Sequence, residues 1–154
     1  MLLLPLLGNY FFILPEKFEV NIKVEKCATY HDDRGDLIQF VSQDFLQSEA
    51  LPFGQVYLLT FNGKNIVRGN HYHNNSSEMF CLISGSVEMI FEDVLTKERV
   101  EHRFTAMGNE FYRVSIGAKI AHCIKSVSDF AVLVSFSSKQ FDVHEQDKIV
   151  YPLG

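Results

Sequence analysis

A chain of 154 residues suits one domain with one core, and a domain of that size buries roughly 70% of its unfolded surface. Apolar residues at 47%, charged residues at 21% and aromatics at 13%, with 14 Phe, 6 Tyr and no Trp, argue against a disordered chain. A formal charge of -5 with no dense Lys/Arg cluster argues against a general nucleic-acid binder.

The opening "MLLLPLLGNYFFIL" is apolar, yet it lacks a basic segment and is broken by Pro5 and Gly8. It is also shorter than the ~20 residues of a membrane span, so neither an export signal nor an anchor is expected. Residues 1–17 read as an apolar extension, or as a strand covering a partner subunit, and residues 18–154 as a single domain. Cys27, Cys81 and Cys123 are odd in number, widely spaced and without a CxxC pair, which argues against a disulfide framework or a cysteine zinc knuckle. Buried free thiols in a reducing cytoplasm are the expectation. The sequons headed by Asn74 and Asn75 then carry no glycan.

Along the chain the apolar residues recur mostly at period two, and no window sustains a long 3.6-residue repeat. "FEVNIKVEKC" (18–27) alternates cleanly, "DLIQFVS" (36–42) follows the turn-like "HDDRG", and "SQDFLQSEA" predicts a helical turn or two capped by Ser42. "QVYLLTF" (55–61), "NIVRGNHYH" (65–73), "EMFCLI" (78–83), "SVEMIFED" (86–93), "VEHRF" (100–104), "EFYRVS" (110–115), "IAHCIKS" (120–126) and "DFAVLVSFS" (129–137) complete the predicted strands. Short strands at this spacing imply an all-β sandwich or small barrel. "FCLI", "EMIF" and "AVLVSF" read as core, Gly85 as a turn glycine, and the polar "SKQFDVHEQDKIVYPLG" as a tail laid over the barrel.

His71 and His73, at i and i+2 on a predicted strand, share one face while Tyr72 points the other way. The "NNSS" loop reverses the chain, and Glu78 then opens the next strand with Phe80 and Leu82 on its own face, a carboxylate brought beside two imidazoles across a hairpin. Two imidazoles and a carboxylate suit zinc, iron, manganese or nickel, and His122, after a Gly-containing turn, is the candidate fourth ligand. His31, His102 and His144 read as surface or internally satisfied residues.

"GNHYHNNSSEMFCLISG" has the His-x-His-x4-Glu-x6-Gly spacing of the first cupin motif, with His122 placed like the lone histidine of the second. The chain resembles a cupin, which implies an all-β double-stranded β-helix, or jelly-roll barrel, with a metal at its mouth on His71, His73, Glu78 and His122. "DDRGDLIQF", "GQVYLLTF", "IVRGNHYH" and "SDFAVLVSFSSKQFD" extend the resemblance to the sugar-nucleotide cupins of surface-polysaccharide synthesis. One branch, the WxcM-like dTDP-4-keto-6-deoxyhexose 3,4-ketoisomerases, implies a homodimer with swapped strands. The other, the zinc-binding C-terminal cupin of capsular-polysaccharide reductase-epimerases, is similar almost letter for letter at "RGNHYH". Tyr72 and Glu78 depart from the first branch, where Ala and Gln are usual, and Glu78 draws the reading toward the metal-retaining branch.

The resemblance implies a dTDP- or UDP-4-keto-6-deoxyhexose as substrate, proton transfer through an enediolate, and no organic cofactor. A ketone α-proton is too weakly acidic for an unaided imidazole, so the oxyanion needs a metal, an Arg or a hydroxyl beside it. His71 or His73 is a candidate base, and Tyr57 a candidate acid or oxyanion donor. A metal on both histidines leaves neither free as base, a conflict that spacing does not settle. Arg68, at the rim of the histidine strand, and Arg34, reaching from a neighbouring subunit, are candidate grips for a diphosphate or sugar oxygen. Two further readings stay open: a non-catalytic metal-binding cupin that binds or senses a small carbohydrate, and a metal-dependent dioxygenase.

Overall fold

The computed structural model describes residues 20–144 and 146–153; the expected extension or swapped strand at 1–17 lies outside them. In chain order the elements are β1 (Ile22–Lys26), β2 (Ala28–Asp32), β3 (Gly35–Gln39), α1 (Gln43–Ser48), β4 (Gln55–Phe61), β5 (Val67–His73), β6 (Glu78–Ser84), β7 (Ser86–Asp93), β8 (Arg99–Thr105), β9 (Tyr112–Ile116), β10 (Ile120–Ser126), β11 (Ala131–Ser137) and β12 (Lys148–Val150). Two five-stranded antiparallel sheets, ordered β1-β9-β6-β11-β4 and β12-β5-β10-β7-β8, face each other. β2 and β3 form a separate two-stranded hairpin. This is the all-β jelly-roll barrel that the cupin resemblance implies.

The alternation places the core. Phe61, Phe80, Phe91 and Leu133 are fully buried between the sheets, together with Met89 and Ile124. Each such side chain contributes about 1.5–3 kcal/mol by leaving water. α1 covers the outer face of the first sheet, where Leu46 packs on Met79 and Phe136. It starts where Ser42 Oγ accepts the Phe45 backbone N–H, the cap read from the sequence. Gly85 holds the β6–β7 turn at φ +86, where a Cβ would meet the Phe130 carbonyl at 2.2 Å. All three cysteines are buried and free.

Two strands escaped the sequence reading. β2 runs from an unassigned stretch into the turn-like "HDDRG", and β12 lies in the segment read as irregular tail. Both strands are exposed on most of their own positions, so neither writes a buried face into the sequence. The C-terminal chain wraps the second sheet: β12 pairs with β5, and Leu153 is buried behind it against Ala121 and Cys123. Among the described residues no helix is long and apolar enough to cross a membrane.

Candidate active site

β5 supplies two histidines because its strand period returns at 71 and 73, but a bulge sets their aim. Gly69 (φ +94) and Asn70 (φ 56) are both left-handed, and the ladder shifts so that His122 pairs with His71 and Cys123 with Gly69. A Cβ at Gly69 would lie 2.6 Å from the His122 carbonyl oxygen, so glycine alone allows β10 to approach. His71 and His122 thus stand opposite each other with ring centroids 4.6 Å apart, and the His71–His73 centroids are 5.1 Å apart. Tyr72 points to the back of the sheet, as read, and meets Tyr151 at 5.9 Å.

Glu78 does not arrive across a hairpin. β5 and β6 belong to different sheets, so the "NNSS" loop is an arch between them, and the carboxylate faces the histidines across the barrel mouth. Its Oε2 lies 3.4 Å from both His73 Nε2 and His122 Nε2, and its Oε1 accepts the Tyr57 hydroxyl at 3.0 Å. Tyr57, expected as an acid or oxyanion donor, donates its hydroxyl to Glu78 and so helps to hold that carboxylate in place. Burial, then the Glu78 charge, push the phenol well above its ordinary value, so it stays protonated and is a weak acid.

Burial raises the Glu78 carboxyl, but the neighbouring His73, the charge of His122 and the Tyr57 hydroxyl outweigh it and hold it at about 2. Burial pulls His122 down to about 4, and burial also lowers His71. At neutral pH the pocket therefore presents a carboxylate beside uncharged rings at 71 and 122, the protonation state that a cation requires of its ligands. The His71 Nδ1 donates to the Gly69 carbonyl at 3.0 Å, which leaves its Nε2 lone pair for the cavity.

His71, Glu78 and His122 offer donor atoms that all lie within 4.8 Å of one another. Glu78 Oε2 is buried without a hydrogen-bond partner, which a cation at this place would begin to compensate. Imidazole and carboxylate donors suit zinc, iron, manganese or nickel. The fourth expected ligand, His73, has its Nε2 3.4 Å from Glu78 Oε2, as close as His122 Nε2, and its Nδ1 faces Asp147 Oδ2 at 3.8 Å.

Asp147 is the residue that sequence reasoning missed. Its carboxylate accepts the backbone N–H groups of Asn75 and Ser76, the Asn75 side-chain amide and the Ser76 hydroxyl, while its carbonyl accepts Asn74 N. Burial raises its carboxyl, and the Ser76 and Asn75 donors outweigh that and lower it. The polar "NNSS" stretch is thus a carboxylate clamp. The Asp147 segment, "DKIVY", does not alternate polar and apolar residues, so the sequence carried no periodic signal for it.

Within one chain neither Arg68 nor Arg34 lines the cavity; the expected reach of Arg34 is from a neighbouring subunit. Arg68 donates to the Thr60 carbonyl at 3.2 Å and its guanidinium lies over the Phe61 ring at 5.5 Å. Three strand residues at about 3.3 Å each carry it some 10 Å from His71, away from the mouth. Arg34 sits at the tip of the β2–β3 hairpin, paired with Asp32, and its side chain is exposed. His31 bonds Asp36 in that hairpin, His102 packs against Phe104 and His144 is exposed, so none of the three enters the site. The mouth is a cavity of about 200 Å³ lined on one side by Tyr57, His71, His73 and Glu78, and on the other by the segment from Lys139 to Lys148.

The family model described as the polysaccharide biosynthesis C-terminal domain matches residues 30–149. The chain belongs to that family. Within the polysaccharide biosynthesis C-terminal domain family, the matched span includes β2 through β12 almost whole, and every residue of the cavity wall. A comparison with curated proteins gives no match.

Three solved structures share the fold. QdtA, a 3,4-ketoisomerase from Thermoanaerobacterium thermosaccharolyticum in complex with TDP-4-keto-6-deoxyglucose, has a TM-score of 0.69 at 19% identity, covering 84% of this chain and 86% of that one. ChmJ, a 3'-monoepimerase from Streptomyces bikiniensis in complex with dTDP-quinovose, gives 0.70 at 18%, covering 84% and 68%. The dTDP-4-dehydrorhamnose 3,5-epimerase of Bacillus anthracis, with TDP and PPi bound, gives 0.70 at 12%, covering 83% and 77%. At such identities the likeness establishes the barrel, which bears out the cupin resemblance.

Proposed function

We propose that this domain is a sugar-nucleotide isomerase or epimerase that moves a proton at a carbon beside the ketone of a dTDP- or UDP-linked 4-keto-6-deoxy sugar. The observation that carries the reading is the division of labour among the imidazoles. His71, His122 and Glu78 form one donor set, and His73, whose Nε2 is 3.4 Å from Glu78 Oε2, has the Asp147 carboxylate behind its Nδ1 at 3.8 Å. In this reading His73 is the base and the other three residues hold the metal.

Asp147 behind Nδ1 favours the tautomer with the proton on that nitrogen, so that Nε2 carries the lone pair facing the cavity. His73 takes the α-proton; the C–H bond breaks, its electron pair delocalises onto the ketone oxygen, and the proton returns to the adjacent carbon or to the opposite face. Tyr57 holds Glu78, and the arch at 74–77, fixed by Asp147, holds the end of β5. A divalent metal on His71, Glu78 and His122 would supply Lewis-acid stabilisation of the oxyanion. Membership of a polysaccharide-biosynthesis family and three neighbours named for nucleotide-sugar isomerisation or epimerisation support the substrate class.

The test is incubation with dTDP-4-keto-6-deoxyglucose in D2O, followed by proton NMR. Deuterium entering at the carbon beside the ketone is the expected result; none entering, with this sugar or its UDP counterpart, overturns the reading. A homodimer and a cytoplasmic location belong to the same proposal. Exposed Phe53, Val56 and Leu58 beside the β4 edge support the first, and three free buried thiols the second. A monomer by light scattering at micromolar concentration would remove the dimer.

A further inference from the structure

Within one chain the two arginines expected to grip the anionic part of the substrate both lie away from the cavity, yet a domain of net charge -5 must hold a substrate that is itself an anion. Two lysines, Lys139 and Lys148, line the cavity, and Lys148 is the one placed beside the histidines. In the β12–β5 ladder it stands directly opposite His73, and cross-strand partners project on the same face, so its side chain lines the cavity beside the imidazole. Its charge reaches His71, whose protonation it disfavours.

Two carboxylates line the same cavity: Asp147, held by the arch, and Asp142, which accepts the His144 backbone N–H at 2.8 Å. Among the described residues Lys148 makes no ion pair. The same segment turns Phe141 toward the mouth: its N–H donates to Gln55 Oε1 at 3.2 Å, which pins the backbone at the start of β4, while its side chain lines the cavity with 61% of the residue still exposed. An open aromatic face in a cavity wall that also carries an ammonium group is a stacking platform in the same wall as a point charge.

We propose that Lys148 and Phe141 form the subsite for the nucleoside diphosphate half of the substrate, Lys148 holding the diphosphate and Phe141 stacking on the base. This rests on the nucleotide-sugar reading above. The C-terminal segment is then the wall that distinguishes a nucleotide-linked sugar from a free one.

Titration calorimetry with TDP and UDP, run beside the deuterium assay, tests the subsite. Lys148→Gln should weaken TDP binding about tenfold or more, and raise KM for the nucleotide sugar at unchanged kcat. Lys148→Arg should restore most of the affinity, and Phe141→Ala should weaken it about five- to tenfold. Lys148 is exposed, so its variants should keep the wild-type thermal unfolding curve, which separates lost binding from lost fold. Unchanged TDP affinity in Lys148→Gln overturns the subsite alone, as does a fall in kcat at intact affinity. Deuterium exchange without affinity for either nucleotide also overturns it and spares the isomerase reading. Neither exchange nor nucleotide binding by the wild type removes both.

Discussion

Two walls enclose the cavity, and they are held by different physics. The inner wall is made of β5, β6 and β10, whose backbones are locked in ladders and whose inward side chains continue into the core: His122 is 3% exposed and Glu78 4%. The outer wall, from Lys139 to Lys148, has few buried side chains and is tied by polar contacts, chiefly the Asp147 clamp and the Phe141–Gln55 bond. Strand register places the ligand set; individual hydrogen bonds place whatever closes over it. Changes in the first wall should therefore act on metal and fold, and changes in the second on turnover and substrate affinity.

The sharpest break in that comparison is expected at His73 and Glu78, which face each other but fall on opposite sides of the proposed division. His73→Asn should lower turnover by about 10²- to 10⁴-fold with bound metal unchanged by elemental analysis. Glu78→Gln should lower both metal content and turnover, by roughly 100-fold or more, because a ligand is replaced. Metal lost equally from both variants would put His73 back among the ligands.

Gly69→Ala attacks the inner wall through its backbone. With φ at +94 and a Cβ 2.6 Å from the His122 carbonyl, it should destabilise the fold by on the order of 2 kcal/mol, read as a lower thermal midpoint. An unchanged midpoint would show that the bulge relaxes freely. Asp147→Ala attacks the outer wall. It should cost about 1–2 kcal/mol by stranding the 74–77 arch and reduce kcat about tenfold, with metal content retained. If metal is lost as well, the two walls are not separable.

The mildest change is Tyr151→Phe. It removes the hydroxyl that donates to Glu92 Oε1 and accepts Lys97 Nζ at 2.8 Å, at the back of the sheet and away from the cavity. A loss of under about 1 kcal/mol in chemical denaturation, with wild-type kinetics, is expected. A kinetic defect there would mean that the docking of the C-terminus reaches the reacting groups.

The sequence by itself determined the barrel and its inner wall. β4, β7 and β10 fall on the residues that alternation marked, and the Ser42 cap is where its hydroxyl suggested. His71 and His73 were legible as one face of a strand at period two, and Glu78 and His122 through their spacing in the cupin motifs. Only the tertiary structure decided that β5 and β6 face each other rather than pair, that a left-handed Gly69–Asn70 bulge aims the histidines, and that within one chain Arg68 and Arg34 stand clear of the mouth. It also decided that Asp147 and Lys148, more than 70 residues from the arch, belong to the site. Those placements depend on long-range partners and on exposed backbone with no buried face, and such a segment leaves no periodic mark in its own sequence.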